Sequence, residues 1–284
     1  MRRSRAYRIV PLCLAGVLLG SASIASASVS IGQVADSPPA PLCSSAFDYL
    51  QPSVTGGNLY IAREAGTIVS WSTNSAAGAT YVFKVFRRTR DPDAFQVIAH
   101  TPPRMVTTTG LNTFPASVSV RSGDMVGFHE SGAGPTSCTF PTTGDSVLRR
   151  LGNLSDGISG VFTVQNDQRL NLSAVLVPSN SFTLGGVSRN SRRGTATITV
   201  TTSNPGVVTL SGRYLKTGRA AKTLAVPGPV AFSVAAVGKK RRILQRRGQV
   251  TVQVTISFAP IGGDASSQSI SLKLKQRSTP PLSP

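Results

Sequence analysis

The sequence predicts an all-β protein: an N-terminal jelly-roll-like β-sandwich followed by a C-terminal immunoglobulin-like β-sandwich. Short runs of β-branched and aromatic residues alternate with polar ones at period two. Clusters of Gly, Pro, Asp, Asn and Ser separate these runs at short intervals. Between 28 and 178 no ten-residue stretch carries a helical period.

The chain opens with what reads as a targeting segment. Arg2, Arg3, Arg5 and Arg8 precede a short apolar run over 9–20, and Ala25-Ser26-Ala27 fits a signal-peptidase site. A signal peptide over 1–27 is expected, with the mature chain starting at Ser28. The apolar run is interrupted by Pro11 and falls short of the roughly 20 residues that cross a bilayer. Cys13 lacks the preceding small residue of a lipid-anchoring site. With no second long apolar run, no transmembrane segment is expected after signal removal. The expected location is extracellular or cell-wall associated.

The first domain is expected over 28–178. Strands are read at 67–71, 80–86, 95–99, 116–120, 125–128, 147–151 and 170–177. In 80–86, Tyr81, Phe83 and Val85 share one face, and Val82 and Phe86 the other. Turns fall at Gly56-Gly57-Asn58, Asp91-Pro92-Asp93, Ser122-Gly123-Asp124 and Gly132-Ala133-Gly134-Pro135. Two cysteines follow the signal segment, Cys43 and Cys138. Their even count in an exported chain predicts a disulfide, with each other or, as the alternative, with a second chain.

The second domain is expected over 179–276, with a disordered tail over 277–284. Strands at 182–187, 195–202, 207–211, 223–226, 231–237, 250–258 and 269–274 make about seven in roughly 95 residues, which suits an immunoglobulin-like sandwich. In the clearest of them Val250, Val252, Val254, Ile256 and Phe258 face the core, and Thr251, Gln253, Thr255 and Ser257 face water.

Charge separates the domains. The whole chain carries a net +19. From 28 to 178 ten basic residues balance ten acidic ones, whereas from 179 to 284 sixteen basic residues meet one acid, Asp264. The positive excess needs an explanation in the second domain alone.

Cys43 to Gln51, the 66–72 segment Gly-Thr-Ile-Val-Ser-Trp-Ser, Leu111 to Ala116 and Gly123-Asp124 resemble a group of exported β-sandwich proteins of actinobacteria. The segment 239–250, Lys-Lys-Arg-Arg-Ile-Leu-Gln-Arg-Arg-Gly-Gln-Val, resembles a basic immunoglobulin-like domain found in such proteins, where a basic turn, a Leu and a Gly precede an alternating strand. The resemblance implies fold and compartment. It transfers no activity and no functional residues.

Lys239, Lys240, Arg241, Arg242, Arg246 and Arg247 are the candidate polyanion-binding residues, with Arg192 and Arg193 in an earlier turn. Such a cluster attracts anionic polymers by charge and counterion release. Its alternative is a solvated turn whose Ile243 and Leu244 plug the sandwich. Specific nucleic-acid recognition is not expected, because exposed aromatics for base stacking are few. For sugar binding by the first domain the available aromatics are Trp71, Tyr49, Tyr60, Tyr81 and Phe114, each of which also suits a core. Asp91, Asp93, Asp124, Asp145, Asp156 and Asp167 fall in turns without calcium-loop spacing, so no metal is expected. His100 and His129 stand outside any recognisable catalytic motif, and no enzyme and no cofactor are expected. The expected function is a non-enzymatic surface or extracellular matrix protein whose basic domain associates with anionic cell-wall polymer or acidic polysaccharide. The alternative is a polysaccharide-binding or polysaccharide-processing protein with its site in the first domain.

Overall fold

Alternation along a strand sends successive side chains to opposite faces, so a half-buried sheet needs apolar residues at every second position. β-Branched and aromatic residues meet that need across the chain. The computed structural model describes residues 27–40, 43, 46–57, 59–131, 136–216 and 218–277. The expected signal segment before Ala27, Asn58 of one turn, the 132–135 turn and the tail beyond Arg277 lie outside the described residues.

The first half of the chain forms twelve strands among the described residues. They are β1 (Val29–Gln33), β2 (Phe47–Ser53), β3 (Gly66–Ser75), β4 (Thr80–Arg88), β5 (Ala94–His100) and β6 (Arg104–Met105). After these come β7 (Gly110–Val120), β8 (Met125–Glu130), β9 (Thr139–Leu151), β10 (Ser159–Val161), β11 (Thr163–Leu170) and β12 (Leu172–Pro178). One sheet has the order β1-β12-β3-β7, and the other β10-β5-β4-β8-β2-β9-β11 with β6 beside β4. The first strand thus pairs with the last, and the second lies between β8 and β9. Interleaving of this kind is the double Greek key of a jelly roll. β9 and β11 extend the larger sheet beyond β2.

Between the two sheets lies a core of Tyr49, Tyr60, Ile68, Trp71, Phe83, Phe128 and their neighbours. The larger sheet is also covered on its outer face. Leu50, Phe86, Phe95, Val97 and Met125 point outward there and are buried beneath Leu154 and Phe162 of the 152–162 segment. This second cover explains why β4 is buried on both faces from Tyr81 to Phe86. Cys43 and Cys138 are disulfide-bonded to each other, with Cα atoms 5.8 Å apart, so pairing within the chain holds.

The second half forms two smaller sheets. Their strands are β13 (Phe182–Asn190), β14 (Thr195–Thr202), β15 (Gly206–Ser211), β16 (Arg219–Leu224), β17 (Gly228–Ala235), β18 (Gln249–Pro260) and β19 (Ser266–Lys275). The orders are β13-β14-β17 and β16-β15-β18-β19, an immunoglobulin-like Greek key. In β18 the five expected core residues are buried, each between 0% and 7% exposed. A separate core of Ile198, Leu210, Phe232, Val254, Ile256 and Phe258 joins these sheets.

Two expectations are corrected. The basic segment after β17 is a ten-residue helix, α1 (Gly238–Arg247), where a turn is expected from sequence. Lys, Arg, Leu and Gln are all good helix formers, and the absence of an apolar stripe hid this. The strand expected at 223–226 lies at Arg219–Leu224. Pro227, which has no amide hydrogen to give a ladder, stands in the bend that follows it.

Asn204, fully buried in the β14–β15 turn, joins the halves. Its side chain accepts from Ala65 N at 2.7 Å and donates to Ala65 O at 2.8 Å and Ser179 O at 2.7 Å.

The disulfide closes a loop of 95 residues. Replacing both cysteines by serine is expected to cost about 2–5 kcal/mol of stability. Urea unfolding of the two forms checks it. An unchanged midpoint contradicts that role.

Candidate functional site

α1 carries all six expected polyanion-binding residues. It begins at Gly238, with Val237 at the N-cap in an extended conformation and no side-chain cap, and it ends at Gly248, whose φ of 67° is the left-handed turn that glycine permits. Lys239, Lys240 and Arg241 crowd the first turn, which holds no acid. That end of a helix carries partial positive charge, so each cation there opposes the dipole by about 0.3–1 kcal/mol. Arg242 and Arg246 are i,i+4 like charges, unfavourable by a further ~0.2–0.5 kcal/mol. Electrostatics therefore do not hold this helix in place. Leu244 does: it is 3% exposed and belongs to the core of the second sandwich, with Ile243 packed beside it. Burying one leucine contributes about 1.5–3 kcal/mol, enough to offset most of the repulsion.

Anchored at Leu244, the helix distributes its cations around its circumference. Lys239, Arg242 and Arg246 line one shallow concavity with Ile243 and Gln245. Lys240 and Arg247 line a second with Lys273 of β19. Lys240 Nζ also donates to Thr251 O at 2.9 Å. Lys239 Nζ lies 5.1 Å from the centre of the Tyr214 ring, and the Arg213 guanidinium 5.0 Å from it. The hydrogen bond with Lys239, and then the positive charge of Arg213, Lys239 and Lys240, lower the Tyr214 phenol below its ordinary pKa. Arg241 lines a third concavity, together with Arg193 and Lys216. No ion pair engages any of these cations among the described residues. Lys216 and Lys273 are members that sequence reading missed, since they stand far from the basic run.

The first sandwich turns its sugar-candidate aromatics inward. Trp71, Tyr49, Tyr60 and Tyr81 are each at most 1% exposed. Trp71 lies between Phe83 at 5.8 Å and Phe114 at 4.6 Å, centre to centre. None of the four presents a face to solvent.

Five of the six turn aspartates are likewise engaged in the fold through their carboxylates. Asp124 receives two hydrogen bonds from the Arg87 guanidinium at 2.7 and 2.8 Å. Asp145 accepts from Thr55 N, Thr55 Oγ1 and Arg169. Burial raises the Asp145 carboxyl, but these donors outweigh it and hold the group below the ordinary carboxylate range. Asp156 meets His100 at 2.7 Å, Asp91 accepts from Asp93 N, and Asp167 accepts from Gly144 N. Among the described residues no three His, Cys, Asp or Glu side chains gather as metal ligands.

One buried polar cluster was not legible in the sequence. Lys84, 1% exposed, donates to Asp48 Oδ1 at 2.7 Å, Asn153 Oδ1 at 2.6 Å and Leu154 O at 2.8 Å. Asp48 also accepts from Leu154 N at 2.9 Å and meets His129 Nδ1 at 3.0 Å. Burial pushes the Lys84 ammonium below the ordinary lysine range, against the raising effect of Asp48. All three ammonium hydrogens have acceptors, so the cluster pins the 152–162 cover onto the sheet and leaves no free base.

Glu64 takes part in none of these networks. It is 7% exposed and lines a concavity of about 200 Å³ with Arg63 and the apolar Val29, Ile31, Leu59 and Leu176. Burial raises its carboxyl above the ordinary range, and Arg63 only partly opposes this.

Two stability changes follow from these environments. Lys84→Met leaves Asp48 with a buried, uncompensated charge and is expected to cost about 3–5 kcal/mol in urea unfolding. A loss below about 1 kcal/mol contradicts the pinning role. For Glu64 the native state holds its proton to higher pH than the unfolded chain does. Its stability contribution therefore falls as pH rises from the ordinary carboxylate value through the raised one, and the full penalty stands at neutral pH. Glu64→Gln is expected to raise the melting temperature at pH 7, with the gain vanishing at pH 3 where both side chains are neutral. A gain independent of pH contradicts this. No protein-family model matches the chain, and no curated protein matches it.

Proposed function

We propose that the chain is an exported, non-enzymatic protein of the cell surface or extracellular matrix, held by its second sandwich to anionic wall polymer. The observation that carries this reading is the set of unpaired cations on and around α1. Sixteen basic residues between 179 and 284 meet one acid. A helix whose own electrostatics are adverse is nonetheless built onto the domain and anchored by Leu244. Charge concentrated at this density attracts polyanions through counterion release. Teichoic-type polymers and acidic polysaccharides are among the polyanions met outside a bacterial cell, and the resemblance to exported actinobacterial proteins favours that setting in this reading. The first sandwich, with several of its acids paired and most of its candidate aromatics buried, serves in this reading as a rigid body that the basic domain retains at the surface.

Co-sedimentation with purified bacterial wall tests this. The chain from Ser28 onward is expected to pellet at low salt and to be released steeply as ionic strength rises. The variant K239E/K240E/R241E/R242E is expected to remain in the supernatant under conditions that retain the unaltered chain. Equal retention of the two, or retention insensitive to salt, rejects the reading.

A further inference from the structure

The concavity behind α1 is built differently from the two shallow flanks. Its cations come from three separate elements: Arg193 from the β13–β14 turn, Lys216 from the β15–β16 connection and Arg241 from α1. Gln245 and Gln276 add amide groups to the same groove, whose volume is about 300 Å³.

Backbone contacts fix the root of each cation. Arg193 N donates to Asn190 Oδ1 at 3.0 Å, Lys216 N to Ala235 O at 2.8 Å and Arg241 N to Val237 O at 3.3 Å. At the end of β19, Gln276 N donates to Gly248 O at 2.7 Å and Arg277 N to Ser191 O at 2.8 Å. These bonds tie the turn that carries Arg193 and the end of α1 to one strand. Gly194 permits the close approach: at φ 67°, a Cβ there would come within 2.9 Å of the Leu244 side chain.

Packing thus draws three positive charges into one groove, and among the described residues no carboxylate pairs with any of them. Like charges held together raise the energy of the empty groove, and a bound anion lowers it. The arrangement also discriminates among anions. A carboxylate offers two oxygens in one plane and is satisfied by a single guanidinium fork. A phosphate presents oxygens on several sides, which suits donors arriving from three elements and two amides. The volume sits at the low end of the ~300–1,000 Å³ usual for ligand sites, room for one phosphate and its ester neighbours rather than a large sugar.

We propose that this groove, lined by Arg193, Lys216 and Arg241, is a phosphate subsite that seats single phosphodiester units of the wall polymer. It rests on the polyanion reading above and narrows it to phosphate-linked polymers over uronate-linked ones.

Calorimetric titration of the chain from Ser28 onward, at fixed low ionic strength, tests this with two probes of matched length: soluble poly(glycerol phosphate) and polygalacturonate. The phosphate polymer is expected to bind on the order of tenfold more tightly. Arg193→Gln with Lys216→Gln is expected to abolish that preference and leave the uronate polymer nearly unaffected. Arg242→Gln with Arg246→Gln, on the outer flank, is expected to weaken both alike. Inorganic phosphate added to the unaltered chain, with chloride as the ionic-strength control, is expected to displace poly(glycerol phosphate) and spare polygalacturonate. Equal affinity for the two polymers, or a groove variant that weakens both alike, overturns the subsite and leaves the polyanion reading standing. Binding of neither polymer overturns both.

Discussion

The burial of Leu244 is the contact on which the basic helix depends. α1 has three cations at the end of the helix where anions belong, and no acid in that turn. Taken alone, a ten-residue helix is too short to be stable in water, and this one repels itself besides. It exists because Leu244 enters the sandwich core and Gly194 lets the neighbouring turn close over it. Gly248 then stops the helix and starts β18, the central core strand of that sandwich. Fold and charge are separable here: one apolar side chain holds the helix, which frees its other faces to carry arginine and lysine.

The first sandwich solves the opposite problem. Its charges are balanced, and several are buried. A buried ion pair is retained only where every donor and acceptor finds a partner. Lys84 and Asp48 meet that condition through Asn153, Leu154 and His129. Arg169 and Asp145 meet it through Thr55 and Gln33. These networks fasten the outer cover and the β9–β11 extension to the jelly roll. They turn acids that a sequence presents as available into fixed parts of the frame.

The contrast between the halves gives the proposed attachment its physical form. One sandwich engages several of its charges in buried networks and carries a disulfide. The other leaves its charge uncompensated on the surface. Asn204 couples them by taking the place of a backbone partner for Ala65 and Ser179.

Sequence alone determined the all-β class, the jelly-roll and immunoglobulin-like sandwiches and the basic cluster, and predicted a disulfide whose partner within the chain only the structure decided. These features are local or compositional: period-two alternation in 250–258 marks a core strand wherever it lies, and a count of charge needs no coordinates. The helical form of 238–247 escaped, because a single buried leucine makes no stripe. So did Lys84–Asp48, the grouping of Arg193 and Lys216 with Arg241, and the role of Asn204. Each joins residues far apart in the chain through packing of separate elements. The polar strands β10 and β11 escaped for the same reason, since an edge strand takes its hydrogen bonds from a neighbour and little of its identity from its own residues. Alternation records which face of a strand is buried; only the tertiary structure decides which distant side chains share the space above it.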